Sequence, residues 1–144
     1  MSEKPEDTTL QPGLSAEVDL TVSKAETATH LGSGSLAVYA TPALVALMEN
    51  AAVRVLEGHL PPGYTSVGGQ IDVRHLGATP VGMKVRAHAE LVEARGRKLT
   101  FRIQAWDEVE LIGEADHVRF LVEEATFMEK VRAKESKLQN IQNK

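Results

Sequence analysis

The sequence predicts an α+β fold in which one long central helix is wrapped by a curled antiparallel sheet. Residues 39–60, YATPALVALMENAAVRVLEGHL, have the apolar spacing of a helix. One alternating segment precedes this helix and four follow it, which predicts the order strand, helix and four antiparallel strands. The 144 residues, 42% of them apolar, suffice for a single domain with a substantial core.

The helix has clear start and stop signals. Thr41 followed by Pro42 predicts a threonine N-cap with proline at the first helical position. The apolar spacing then continues to about Leu56, and Gly58 is a suitable residue to end the helix.

The strands are predicted from alternation of apolar and polar residues. The first lies within SAEVDLTVSK, where Val18, Leu20 and Val22 share a face. A second begins near TSVGGQIDV, where Gly68 and Gly69 allow close approach to the backbone. The segments MKVRAHAELVEA and KLTFRIQAW, joined by RGR, predict a hairpin, and VELIGEADHVRFLVEE predicts the last strand.

The chain divides into three parts by composition. Residues 1–12 are polar and predict a flexible N-terminal arm, residues 13–124 form the domain, and residues 125–144 predict a charged C-terminal helix or tail, partly docked and fraying. Such a domain leaves sheet edge and face uncovered, so we expect a homodimer or a higher homo-oligomer.

The composition argues against several classes of protein. The absence of cysteine excludes disulfides and thiolate sites, and it fits a reducing cytoplasm, as does the lack of an apolar run after Met1. A net charge of −4 argues against a nucleic-acid partner. The longest apolar stretch is interrupted by Glu49, Asn50 and Arg54, which argues against a membrane span. No two histidines have metal-ligand spacing, so we expect no metal.

Glu49 stands out within the helix because it lies outside the polar stripe. At about 100° per residue, the stripe lies roughly 80 to 140° from Glu49 and consists of Asn50, Arg54 and Glu57. The residues within about 60° of Glu49 are apolar: Val45, Ala52, Val53 and Leu56. A carboxylate on an apolar face must be hydrogen-bonded, protonated or paired with an arginine, which is the structural reading, or it must face a cleft. The helical phase alone leaves both readings open.

Three segments resemble one family of enzymes. They are VYATPALVALMENAAVRVL, IDVRHLGATPVGMKVRAHAEL and GRKLTFRIQAWDEVELIGEADHVRFLV. The first is similar to the Ala-Thr to Met-Glu helix of the fluoroacetyl-CoA thioesterase family, which belongs to the hot-dog thioesterases. The second is similar to that family's Val-x-His-x-x-Ala-Thr-Pro-x-Gly segment. The third is similar to its Gly-Arg-x-Leu hairpin and His-x-Arg strand. The resemblance covers roughly residues 13–133 and implies the hot-dog fold.

The resemblance also implies a site and a reaction. The positions matching the family's catalytic residues are Thr41, Glu49 and His75. Gly68 matches the glycine beside the acyl group, with Gly69 next to it, and Arg119 matches the arginine of the substrate pocket. The implied activity is hydrolysis of an acyl-CoA thioester carrying a small or short-chain acyl group, with coenzyme A as part of the substrate and no other cofactor.

The segment before the helix departs from the family pattern. The fluoroacetyl-specific member has a longer, aromatic lid, whereas here HLGSGSLAVYAT is short and Tyr39 is its sole aromatic residue. A missing lid leaves less to exclude water. We therefore expect a general short-chain or aromatic acyl-CoA substrate instead of fluoroacetyl-CoA.

Alternative functions and roles remain open at this stage. The chain could be a non-catalytic module that binds or senses acyl-CoA, although such a module does not need all three polar residues. A hydratase of the same fold is less favoured, since the expected Asp and His pair is missing. Glu49 could act as a base or as a nucleophile, His75 could shuttle a proton, and Thr41 could act chemically or simply cap the helix.

Overall fold

The computed structural model describes residues 9–143, which contain five strands and three helices. The strands are β1 (Ser15–Thr21), β2 (Tyr64–His75), β3 (Lys84–Arg95), β4 (Lys98–Trp106) and β5 (Leu111–Glu123). The helices are α1 (Ala28–Leu31), α2 (Thr41–Leu56) and α3 (Glu124–Gln142), and a 3-10 turn covers Lys24–Glu26. The predicted order of the strands and the long helix is confirmed.

The five strands form one antiparallel sheet in the order β1-β3-β4-β5-β2. The predicted hairpin is β3 with β4, whose turn includes Gly96 at φ +59°. β5 pairs with β4 on one side and with β2 on the other, so β2 becomes an edge strand. This position leaves one edge of β2 without a partner strand in the described chain.

The core lies between α2 and the inner face of the sheet. The buried residues of α2 recur at helical spacing: Leu44, Leu47, Met48, Ala51, Ala52, Val55 and Leu56. The sheet contributes the alternating buried side chains of the hairpin: Val85, Ala87, Ala89, Leu91, Leu99, Phe101, Ile103 and Ala105. α2 ends at Leu56 as predicted, and Gly58 follows in the left-handed region at φ +79°.

The start of α2 differs from the prediction. Ala40, not Thr41, is the N-cap, and no side chain caps the helix. Thr41 is the first helical residue, where its hydroxyl is free to contact another part of the chain. The expected capping role of Thr41 is therefore wrong.

The segment preceding α2 contains a short helix that the apolar spacing did not predict. Thr27 caps the short helix α1, and Gly32 ends it at φ +70°. Bridges from Val38 to Pro80 and from Tyr39 to Thr27 tie the segment to the domain. Local side-chain capping, which apolar periodicity does not report, explains the missed turn.

The predicted N-terminal arm lies partly outside the described residues, which begin at Thr9. Leu10 belongs to the core and is 2% exposed. The backbone N–H of Gly13 donates to the carbonyl of Leu91 at 2.9 Å. The described end of the expected arm therefore packs on the domain, because one apolar side chain in a polar segment finds a place in the core.

Candidate active site

Thr41 and His75 form a hydrogen-bonded pair. Thr41 Oγ1 lies 2.8 Å from His75 Nδ1, joining the first turn of α2 to the last residue of β2. This distance is in the range expected for a hydroxyl and its base. The sequence prediction that both residues belong to one site is thus matched by a direct contact.

The surroundings of His75 favour its neutral form. Burial lowers the pKa of His75 below its usual value, and the nearby Gly77 backbone partly opposes this shift. The ring of Tyr39 packs edge-on against it, with centroids 6.4 Å apart. The Thr41 hydroxyl donates to Nδ1 when the neutral ring carries its proton on Nε2, and it accepts from Nδ1 in the other tautomer. Among the described residues, the buried Nε2 has no hydrogen-bond partner.

Tyr39 is a buried wall residue. It is 1% exposed, and its hydroxyl donates to the carbonyl of Ala43 at 3.2 Å. Burial and the charge of Glu26 raise the pKa of the Tyr39 phenol, so it stays protonated. The only aromatic residue of the short segment therefore packs beside His75 and does not form an exposed lid.

A cavity of about 300 Å³ adjoins the Thr41–His75 pair. Its lining mixes polar and apolar surface and consists of Ala28, Ser33, Val38, Tyr39, Ala40, Thr41, His75, Leu76, Gly77 and Ala78. Its volume is near the lower end of the range for ligand sites. The cavity can hold a small acyl group or part of a larger ligand.

Glu49 belongs to a second cluster, with Gly68 and Arg119. Glu49 Oε2 lies 3.6 Å from Arg119 Nη1, which is an ionic contact too long for a hydrogen bond. The Glu49 side chain is 42% exposed, whereas that of Arg119 is 8% exposed. The carboxylate is therefore paired with Arg119 on one side and open to solvent on the other. The sequence left two readings of Glu49 open, an acid paired with an arginine and an acid facing a cleft, and each holds in part.

Gly68 leaves room for the Glu49 carboxylate. A Cβ atom at position 68 would lie 2.9 Å from Glu49 Oε2 and 3.5 Å from Arg119 Nη1. Gly69 is placed differently, because the pairing of β2 with β5 shifts register between Gly68 and Gln70 and forms a bulge. A Cβ at position 69 would meet the ring of Phe120 at 2.5 Å. The structure does not bring Gly69 into the Glu49 cluster.

Arg119 is held by four groups. Its Nε donates to Ser66 Oγ at 2.8 Å, its Nη2 to the Ser66 carbonyl at 3.2 Å and its Nη1 to His117 Nε2 at 3.2 Å, while Glu49 supplies the opposite charge. Burial lowers the pKa of Arg119, and Glu49 opposes this shift. The guanidinium is thereby fixed in position beneath the carboxylate.

His117 completes the support of Arg119. It is 1% exposed, and its Nδ1 lies 2.7 Å from the carbonyl of Gln70. Because Nε2 accepts from Arg119, the proton must be on Nδ1, where it is donated to Gln70. Burial lowers the pKa of His117, opposed by the Gln70 hydrogen bond. His117 therefore lies behind Arg119 and supports it.

The two clusters are separate within one chain. Thr41 and Glu49 are eight residues apart in α2, which corresponds to about 12 Å along the helix axis. The structure therefore joins Thr41 to His75 and Glu49 to Gly68 and Arg119, but it does not join the two groups. Within residues 9–143, no group of three His, Asp or Glu side chains could hold a metal ion.

Comparison with known proteins identifies the family. The model described as fluoroacetyl-CoA-specific thioesterase matches residues 22–125. A curated fluoroacetyl-CoA thioesterase from Streptantibioticus cattleyicolor is 43% identical over 97 residues, which are 67% of this chain and 70% of that enzyme. The chain belongs to the fluoroacetyl-CoA thioesterase family.

Solved structures agree with this family. The fluoroacetyl-CoA thioesterase FlK superposes with a TM-score of 0.82 at 37% identity, covering 87% of this chain and 97% of FlK. A Thermus thermophilus protein of the thioesterase superfamily shares the fold, with a TM-score of 0.85 at 24% identity over 90% of this chain and 96% of that one. The predicted hot-dog fold and thioesterase class are thus confirmed.

The family resemblance did not reveal every residue of the site. Ser66 reaches Arg119 across the β2–β5 pairing, and the Gln70 carbonyl follows the bulge in β2. The sequence discloses neither contact. His117 was detectable in part, because it alternates with Ala115 and Arg119 on the inner face of β5.

None of the described helices is long and apolar enough to span a membrane.

The state of His117 predicts how stability depends on pH. Its folded pKa is below the usual value of about 6.5, so below that pH the unfolded chain takes up a proton that the folded chain resists. Stability is therefore fully present above pH 6.5 and falls as the pH drops. In His117→Gln the amide can replace both hydrogen bonds without titrating. We expect this variant to lose less stability than wild type between pH 7.5 and 5, as measured by urea unfolding.

A matched control is His30→Gln, since His30 is exposed on α1. His30→Gln should lose as much stability as wild type over the same pH range. Part of that loss comes from His75, which is present in wild type and in both variants. Equal losses in His117→Gln and wild type would contradict the assigned role of His117.

Proposed function

We propose that this thioesterase hydrolyses acyl-CoA carrying a small acyl group, using Thr41, Glu49 and His75. The observation that carries the proposal is the pair of clusters, a hydroxyl on a neutral imidazole and an open carboxylate above a fixed arginine. FlK variants have been solved with fluoroacetate and coenzyme A and with acetyl-CoA. These relatives support a small acyl group.

The reaction divides into bond making and proton transfer. Glu49 accepts a proton from water whose oxygen bonds to the acyl carbon, the C–S bond breaks, and a proton reaches the departing sulfur. Neutral His75, hydrogen-bonded to Thr41, is suited to relay that proton. The Gly68 backbone and Arg119 lie beside Glu49, where they can orient the thioester.

The acyl specificity follows from the short segment before α2. Tyr39 is packed against His75, and the other large residues of the segment, Leu31 and Leu36, are exposed. An open segment admits acyl groups beyond the two-carbon size. The proposed substrates are therefore short-chain or aromatic acyl-CoA esters, with no preference for fluoroacetyl-CoA.

A homodimer is part of the proposal, because one chain holds the two clusters apart. β2 carries both Gly68 and His75, and its outer edge has no partner strand in the part of the chain that the structure describes. Two β2 strands paired antiparallel near residue 71 would bring Gly68 close to the partner subunit's His75. A complete site would then combine Glu49 of one subunit with the Thr41–His75 pair of the other. We place this dimer in the cytoplasm, without nucleic acid, membrane or metal partners.

The activity is tested by release of free thiol from a panel of acyl-CoAs, from acetyl to octanoyl with phenylacetyl and fluoroacetyl. We expect turnover of at least one short-chain or aromatic member. Glu49→Gln keeps the shape of the side chain but removes the base, so kcat should fall roughly 10²- to 10⁴-fold. Glu57→Gln, at the exposed C-cap of the same helix, should retain the wild-type rate.

Three outcomes would contradict this proposal. Stoichiometric binding of acyl-CoA without thiol release would indicate a binding module. A change in enoyl absorbance with the thioester intact would indicate a hydratase. Full turnover by Glu49→Gln would mean that the acid is structural.

The shared site is tested by mixing two inactive variants, Glu49→Gln and His75→Ala, under conditions that exchange subunits. If Glu49 and His75 of different subunits cooperate, each mixed dimer has one intact site of two. Random mixing should then restore roughly a quarter of the wild-type activity, since a two-fold interface presents equivalent sites. No recovery after verified subunit exchange would place both residues of a site in one chain.

A further inference from the structure

The C-terminal helix α3 carries an apolar stripe that the folded chain leaves uncovered. None of its 19 residues, all within the described part of the chain, is buried. The large apolar residues on it are 37 to 68% exposed: Phe127, Met128, Val131, Leu138 and Ile141. α3 also continues well past residue 125, where the match to the family model ends.

The stripe has the spacing of a coiled-coil seam. Phe127, Val131, Leu138 and Ile141 follow one another at steps of four, seven and three residues, and Lys134 occupies the intermediate seam position. At about 100° per residue all five lie within roughly 40° of Phe127. A polar residue at one seam position lowers stability but helps to fix register.

The charges beside the seam select the partner and its direction. Lys130 and Lys137 lie on one flank, while Glu135 and Gln142 lie on the other. In a parallel pair of identical helices, Lys130 of each helix meets Glu135 of the other, giving two attractive contacts. In an antiparallel pair the lysine flanks face each other, and like charges repel.

We propose that α3 pairs with α3 of a second copy of this chain as a parallel two-stranded coiled coil. The complementary lysine and glutamate flanks make the identical helix a better occupant than an unrelated apolar surface. The pairing stabilises α3, because most helical stability in proteins comes from packing of an apolar face. At under three heptads the seam is short, so a domain that holds two chains together supplies the effective concentration for pairing.

The chain contains no cysteine, which allows a direct test by single cysteine substitutions. Leu138→Cys places a thiol on the seam, and Ser136→Cys places one on the opposite face of the same helix. In a parallel, in-register pair the two seam thiols face each other. Under mild oxidation at low protein concentration, we expect disulfide-linked dimers of Leu138→Cys to form at least ten times faster than those of Ser136→Cys.

A third variant, Lys134→Cys, distinguishes the direction of the helices. Position 134 is near the middle of the seam and would crosslink in either direction, whereas position 138 faces its equivalent only in the parallel pair. If Lys134→Cys forms crosslinked dimers and Leu138→Cys does not, the helices are antiparallel and the proposal is overturned. Equal rates for Leu138→Cys and Ser136→Cys would show that α3 does not pair with itself, whatever the catalytic result.

Discussion

The buried charge of Arg119 is the constraint on which the site depends. An isolated ion in a protein interior costs several kcal/mol, so its partners must be supplied together. They come from three elements: Ser66 on β2, His117 on β5 and Glu49 on α2. The guanidinium therefore fixes the register of the edge strand and the position of the long helix at the same point. Glu49, the residue with a free side toward solvent, is held there by contacts that also stabilise the fold.

The edge strand β2 contacts α2 through the proposed catalytic residues. At one point Gly68 lies under the Glu49 carboxylate, and at the end of the strand His75 bonds to Thr41. The bulge at Gly69, filled by the Phe120 ring, lies between these contacts and adjusts the path of the strand. Because both contacts are polar and lie at the margin of the core, changes that improve packing there would disturb the chemistry. Among residues 9–143, no strand pairs with the outer edge of β2.

The sequence predicted what is periodic or local. The C-terminal end of α2, the hairpin and the position of Glu49 outside the polar stripe followed from apolar spacing, whereas the start signal at Thr41 and Pro42 placed the N-cap one residue too late. The reactive set Thr41, Glu49 and His75 came from the family resemblance, and their catalytic roles stay predictions. The role of Thr41 was misjudged because its hydrogen bond reaches a residue 34 positions away, which no local pattern encodes. The burial of Leu10, the bulge and the support of Arg119 by His117 likewise depend on tertiary contacts.

The most direct test of this account is a double-mutant cycle on the free energy of unfolding, using Glu49→Gln, Arg119→Gln and the double variant. Because Arg119 is buried while Glu49 is partly exposed, we expect a coupling of about 1 kcal/mol. The exposed pair Arg54–Glu57, at 3.4 Å on the same helix, provides a matched reference and should give a smaller value of roughly 0.3 kcal/mol. Equal couplings for the two pairs would contradict the claim that Arg119 organises the site.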